Sequence, residues 1–166
     1  MYNFYNLNPN HLPSETSSPV TLDINSDLHN DAFYELFNAY TANPNVENQD
    51  KLGSHLNAIN YLIGFFPDNN MDIDTKQFTF HNNTNLNLLI CSTSNREVYL
   101  PCFTTASELT TWCKEPINTL SVPAVWLWKF VLSQSNFDGI VINPSSIGWT
   151  INCEHIKSLL EDILAK

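Results

Sequence analysis

Cysteine and histidine are the residues most able to do chemistry in this 166-residue chain, so their spacing is the first test of what it could do. Cys102 ends the apolar run "EVYLPCF" just before the helix-starting pattern "TASE". Thiol phosphatases and sulfurtransferases hold a catalytic thiolate at such a junction, because a helix N-terminus favours the anion. That chemistry needs C-x5-R with glycine in the loop, so that amides and a guanidinium surround a phosphate. "CFTTASEL" has neither, and Cys102 reads as a packed strand cysteine. Cys153 is the better candidate for a reactive thiol, since it opens the last helical segment with His155 close behind. Residues two apart on a helix point about 200° from one another, which places His155 badly as its base. The cysteines at 91, 102, 113 and 153 form no C-x-x-C pair, and the histidines at 11, 29, 55, 81 and 155 no H-x-x-x-H pair. No metal site, cofactor or catalytic residue is expected on these grounds.

Two further groups could contact a ligand or partner. "DGIVINP" ends a strand at Asn143, where a polar side chain can meet a ligand. Turn chemistry accounts for the same residues: Gly139 permits a turn, Asn143 bonds its own following backbone and Pro144 stops the strand. The other group is Trp126, Lys129 and Phe130 in "AVWLWKFVLSQ". At helical spacing Trp126 falls beside Lys129 and Ser133, outside the apolar arc that holds Trp128, and so is expected to be partly exposed as an interaction patch. Glu161 and Asp162 are adjacent on the outer face of a helix and do not converge on a substrate.

The elements that position these residues follow from periodicity. Residues 1–25, rich in Asn, Pro, Ser and Thr, are expected to be a flexible arm. Its apolar cluster, Tyr2, Phe4, Tyr5 and Leu7, is a candidate to dock on the domain or on a neighbouring chain. Residues 26–166 are expected to form one domain. Ser26 is the expected N-cap of a helix over about 27–42, stopped by Asn43-Pro44, and a second apolar stripe runs from about residue 48 to near Asn60. "YLIGFF", "KQFTF", "NLNLLICSTS", "EVYLPCF", "IVIN" and "WTIN" are the strand candidates, with a hairpin turning around Asn95-Arg96. Pro101 cannot donate to a ladder and is expected at an edge or a frayed point. Thr105 and Glu108 predict a capping box, in which the hydroxyl serves the N3 amide and the carboxylate returns to the Thr amide. Helices follow over 124–134 and 153–165. The predicted class is α+β: a single domain with two N-terminal helices and a mixed or antiparallel sheet of about five to six strands, with helices packed on it.

Seventeen acidic residues against seven basic ones give a formal net charge of -10, which repels nucleic acid and anionic membranes and attracts a basic protein surface. Neither nucleic acid nor membrane is expected as a partner. The N-terminus lacks the pattern of an export signal, no run is long enough to span a bilayer, and a cytoplasmic protein with reduced thiols is expected.

The segments "EVYLPCFTTASELTTW" and "FDGIVINPSSIGWTI" resemble the N-terminal domain of the SseB family, the enhanced-serine-sensitivity proteins. Tyr99, Pro101, Phe103, Thr104, Glu108, Leu109, Trp112, Asp138, Gly139, Asn143 and Pro144 stand at matching positions, in order, within a likeness over about residues 27–165. "YLIGFFP", with Gly64 and two phenylalanines, departs from the aliphatic-Pro strand usual in the family. The resemblance implies the α+β fold and brings no catalytic residue with it. The expected function is a non-catalytic protein-interaction or regulatory module, with an unknown protein or a second copy as partner. A thiol enzyme or redox sensor on Cys153 or Cys102, and an acidic inhibitor or immunity-type protein, are the alternatives.

Overall fold

The computed structural model describes residues 2–7, 20–66, 76–80 and 86–165. Its strands are β1 (Tyr2–Leu7), β2 (Val20–Ile24), β3 (Asn60–Phe66), β4 (Gln77–Phe80), β5 (Leu86–Ser92), β6 (Val98–Phe103), β7 (Asn118–Pro123), β8 (Gly139–Ile142) and β9 (Trp149–Asn152). Its helices are α1 (Asp31–Ala42), α2 (Val46–Ala58), α3 (Ala106–Trp112), α4 (Ala124–Ser133) and α5 (Cys153–Leu164). The strands form one sheet in the order β4-β2-β7-β3-β5-β6-β8-β9; off this path β1 pairs with β5, and β3 pairs with β6 as well as with β5. Neighbours are antiparallel except β6 and β8. The fold is α+β, as the periodicity predicts, with more strands than expected.

The additional strands are β1, β2 and β7. β2 lies inside the segment expected as a flexible arm, yet Leu22 and Ile24 are buried while Thr21 and Asp23 face out. That alternation is too short to be told from a loop until β4 and β7 supply ladders on both sides. In β7 the buried Thr119 and Ser121 break the apolar run that would have marked it. Residues 8–19, also assigned to the arm, lie outside the described residues.

Alternation gives the sheet two unlike faces. Tyr61, Ile63, Leu88, Ile90, Leu100, Cys102, Ile140 and Ile142 point to the main core, which α1, α2, α4 and α5 cover. A polar bracket ties three of those helices: the indole N–H of Trp128 donates to Asn57 at 2.8 Å, and Asn57 donates to the Leu159 carbonyl at 2.9 Å. On the opposite face Leu62 and Phe103 pack with Leu109 and Trp112 of the seven-residue α3.

Two local expectations are corrected by these packings. Ser26 does not start the first helix; α1 begins at Asp31, because Leu28 is drawn into the smaller core and Asn30 directs its amide to the carbonyls of Asn60 and Thr104, at 3.1 and 3.0 Å. Pro101 is neither at an edge nor frayed. β6 pairs with β5 at Val98 and Tyr99 and with β3 at Cys102 and Phe103, so Pro101 falls in the gap where one antiparallel ladder ends before the next begins. Its missing N–H costs no ladder bond there.

Candidate functional site

β6 and β8 run parallel and end side by side at Phe103 and Ile142, so the residues that follow, Thr104 and Asn143, meet. Asn143 is fully buried and adopts a left-handed backbone with φ 46°, a conformation that asparagine tolerates better than most residues. Its carbonyl gathers the N–H groups of Ser146, Ile147 and Gly148 at 2.9–3.1 Å, which closes the turn into β9. Its side chain does not bond the backbone that follows, as turn chemistry would have it. The amide oxygen accepts from the Thr104 N–H at 2.9 Å, and the amide nitrogen donates to the Thr104 hydroxyl at 2.8 Å and to the Tyr34 hydroxyl at 3.0 Å.

Tyr34, from α1, in turn donates a hydrogen bond from its hydroxyl to the Glu108 carboxylate of α3. Burial raises the Tyr34 pKa, and the hydrogen bond to Glu108 raises it further. Half of the predicted capping box forms, with the Thr105 hydroxyl accepting the Glu108 N–H at 3.3 Å. The other half is overturned: the Glu108 carboxylate accepts from Tyr34 and from the hydroxyls of Ser145, at 3.2 Å, and Ser146, at 2.8 and 2.9 Å. Tertiary donors offer that carboxylate more hydrogen bonds than the single Thr105 amide could. The network joins α1, the end of β6, α3 and the β8–β9 turn, and its polar groups satisfy one another.

Beside this clasp the helix-poor face of the sheet opens into a cleft of about 330 Å³. Its floor is Tyr99, Val141 and Thr150 from β6, β8 and β9, with Cys91, Ser92 and Thr93 along one side. The walls are Trp112, from α3, and Pro144, from the β8–β9 turn. The clasp therefore fixes the two elements that wall the cleft. Among the described residues no charged side chain lines it, and with aromatic rings and hydroxyls it suits an uncharged, partly apolar group.

The thiols are placed for packing. Cys102 is fully buried, with its S–H toward the Leu100 carbonyl at 3.5 Å, and burial pushes its pKa well up. Cys153 does sit in the first turn of α5, but its thiol donates to the Phe137 carbonyl at 3.3 Å, and burial followed by the nearby Asp138 charge raises its pKa. His155 turns to the N-cap Asn152 at 2.9 Å rather than to the thiol. Among the described residues no three His, Cys, Asp or Glu side chains gather as metal ligands.

On α4 the structure divides the expected patch. Trp126 and Lys129 are half-buried, whereas Phe130 is fully buried and cannot contact a partner. Trp126 stacks on Phe130 with ring centroids 5.1 Å apart and planes at 9°, so it roofs the core at that point. Sequence reasoning missed Tyr34 and Ser146 altogether, since nothing local distinguishes a helical tyrosine or a loop serine that meets a carboxylate far away in the chain.

Fold and site define an α+β module with one face covered by four helices and an opposite face that carries a cleft beside a buried polar clasp. The chain belongs to the SseB protein N-terminal domain family, whose model matches residues 35–158. No curated protein and no solved structure matches it. Of the positions that carried the resemblance, Tyr99, Trp112 and Pro144 line the cleft, while Thr104, Glu108 and Asn143 form the clasp. Two more hold the strands beside it. The Asp138 carboxylate accepts the Val98 N–H at 2.7 Å, and a Cβ on Gly139 would stand 2.1 Å from the Ile151 carbonyl oxygen.

Proposed function

We propose that this chain is a non-catalytic protein-interaction or regulatory module that receives its partner in the cleft between α3 and the β5-β6-β8-β9 surface. The observation that carries this reading is that the family-matching residues Tyr99, Trp112 and Pro144 line one open cleft, while Thr104, Glu108 and Asn143 lock its walls. Support for a non-catalytic role comes from the clasp, whose Glu108, Tyr34 and Asn143 are engaged with one another rather than aimed at the cleft. The thiols add to it, since burial disfavours the reactive anion at Cys102 and Cys153. The net charge of -10 favours a protein partner with a basic surface around an apolar or hydroxyl-bearing anchor, and a cytoplasmic setting fits four free thiols. Among the described residues no helix is long and apolar enough to cross a membrane.

The test compares three tagged forms in affinity purification from the native cell: the unaltered chain, Thr150→Arg, which sets a charged side chain on the exposed part of the cleft floor, and Trp126→Ala on the opposite face. The cleft reading expects the partner to be lost only with Thr150→Arg. Loss with Trp126→Ala and retention with Thr150→Arg would move the interaction to α4 and overturn it.

A further inference from the structure

The carboxylates around the cleft are not alike. That of Glu108, on the α3 side, is taken up by the hydroxyls of Tyr34, Ser145 and Ser146. At the β5–β6 turn two others stand just beyond the lining residues. The hydroxyl of Thr93, which lines the cleft, donates to the Glu97 carboxylate at 3.1 Å. The amide N–H that joins Glu97 to Val98 donates to the Asp138 carboxylate at 2.7 Å, so the second carboxylate stands beside the residue that carries the first. Both side chains are exposed, and among the described residues each accepts one hydrogen bond, where a carboxylate has room for about four. Neither has a cation. The ion pairs among the described residues are Asp27 with His29 and Glu47 with Lys51, and Arg96, next to Glu97 in the turn, pairs with neither carboxylate.

Tyr99 connects this charged end to the cleft floor. It follows Val98 on β6, is partly exposed, and its hydroxyl makes no hydrogen bond among the described residues. Burial raises its pKa, and the Glu97 and Asp138 charges raise it further, with no cation opposing them. An aromatic ring with two carboxylates near it and an uncharged floor beyond it matches a guanidinium. That planar group stacks on a tyrosine face, its forked N–H donors serve carboxylates, and its aliphatic stem covers apolar surface. An ammonium is a compact point charge without the planar face that stacks.

We infer that the cleft takes an extended segment of a basic partner protein, in which an apolar anchor enters beside Trp112 and Pro144 and an arginine within two residues of it lies on Tyr99 against Glu97 and Asp138. The net charge of -10 draws such a segment in, and the two unneutralised carboxylates fix where its cation rests. This assignment rests on the cleft reading above and makes Glu97 and Asp138 the residues that set its specificity.

The probe is a random dodecapeptide phage library panned against the full-length chain, with the affinity of the selected peptides measured by fluorescence anisotropy. The expected peptides carry an arginine within two residues of an aromatic or aliphatic side chain, and Thr150→Arg abolishes their binding. Glu97→Gln and Asp138→Asn remove charge but keep an acceptor for the Thr93 hydroxyl and the Val98 N–H. Each should weaken binding about three- to tenfold at low salt, and neither should matter once the peptide's arginine is replaced by glutamine. Peptides that Thr150→Arg excludes but that Glu97→Gln and Asp138→Asn bind unchanged would overturn the arginine assignment and leave the cleft reading standing. Selected peptides with lysine or no cation at that position, or no selected peptide at all, would overturn it too. Binding that survives Thr150→Arg would remove the cleft reading itself, and this assignment with it.

Discussion

Asn143 satisfies a backbone and a side-chain requirement at once, and the two can be separated by substitution. Its amide makes three buried hydrogen bonds, and its φ of 46° penalises most side chains. Asn143→Ala should cost about 2–4 kcal/mol in urea unfolding, since the buried Thr104 N–H loses its acceptor and the Thr104 and Tyr34 hydroxyls lose the amide that donates to them. Asn143→Gly removes the same bonds but relieves the backbone, and should be the milder by about 1 kcal/mol. Equal losses would mean that the left-handed conformation is not maintained. The thiols invite a second measurement. Burial pushes Cys91 up to about 11 and raises Cys102 and Cys153, so iodoacetamide at pH 8 should alkylate all three more slowly than free cysteine. One fast-reacting residue among them would revive the thiol-enzyme reading.

Two glycines of β3 and β8 show how an element's tolerance depends on what stands against it. A Cβ on Gly139 would meet backbone of β9, with the Ile151 carbonyl oxygen at 2.1 Å and the Asn152 Cα at 2.9 Å, neither of which can yield without moving the strand. Gly139→Ala should therefore cost at least about 3 kcal/mol and loosen β9 beside the cleft. A Cβ on Gly64 would meet the tip of Ile117 at 2.7 Å and Leu89 at 3.1 Å, side-chain atoms that can turn aside. Gly64→Ala should cost about 1–2 kcal/mol. Thermal melts of the two variants rank them, and the reverse order would show that β9 is free to shift. Gly64 also marks where "YLIGFF" departs from the family's strand. The absent side chain leaves room for Leu89 and Ile117 on the face opposite the main core.

At the scale of the whole molecule, His55 couples packing to pH. Burial lowers its pKa below 6.5, and its Nε2 is enclosed without a partner among the described residues. The folded state then takes up the proton less readily than the unfolded chain, so the stability tied to neutral His55 is complete above about pH 6.5 and lost as pH falls through the folded value. Urea midpoints from pH 8 to pH 5 should decline over that range, and His55→Gln should flatten the decline. An unchanged profile in that variant would assign the loss to other groups.

Much of the architecture was legible locally. The stripes of α1, α2 and α5, the β5–β6 hairpin, the α3 N-cap and the α+β class follow from side-chain period and turn chemistry, which act over a few residues. Trp126 is half-buried, outside the fully buried arc, while Phe130, four residues on, lies within it. β2 and β7 were not legible, because five or six residues of weak alternation become strands only when ladders form on both edges. Glu108 was read as a helix cap since T-x-x-E has a local use for the carboxylate. Its hydrogen bonds to Tyr34, Ser145 and Ser146 span 74, 37 and 38 residues. The amino-acid order alone determined which segments are helix or strand and which faces are apolar, because those depend on neighbours along the chain. Only the folded chain decided that β6 and β8 end together and thereby bring Thr104, Glu108, Asn143 and Tyr34 into one clasp. Hydrogen bonds over such separations require the sheet first to set the positions of their ends.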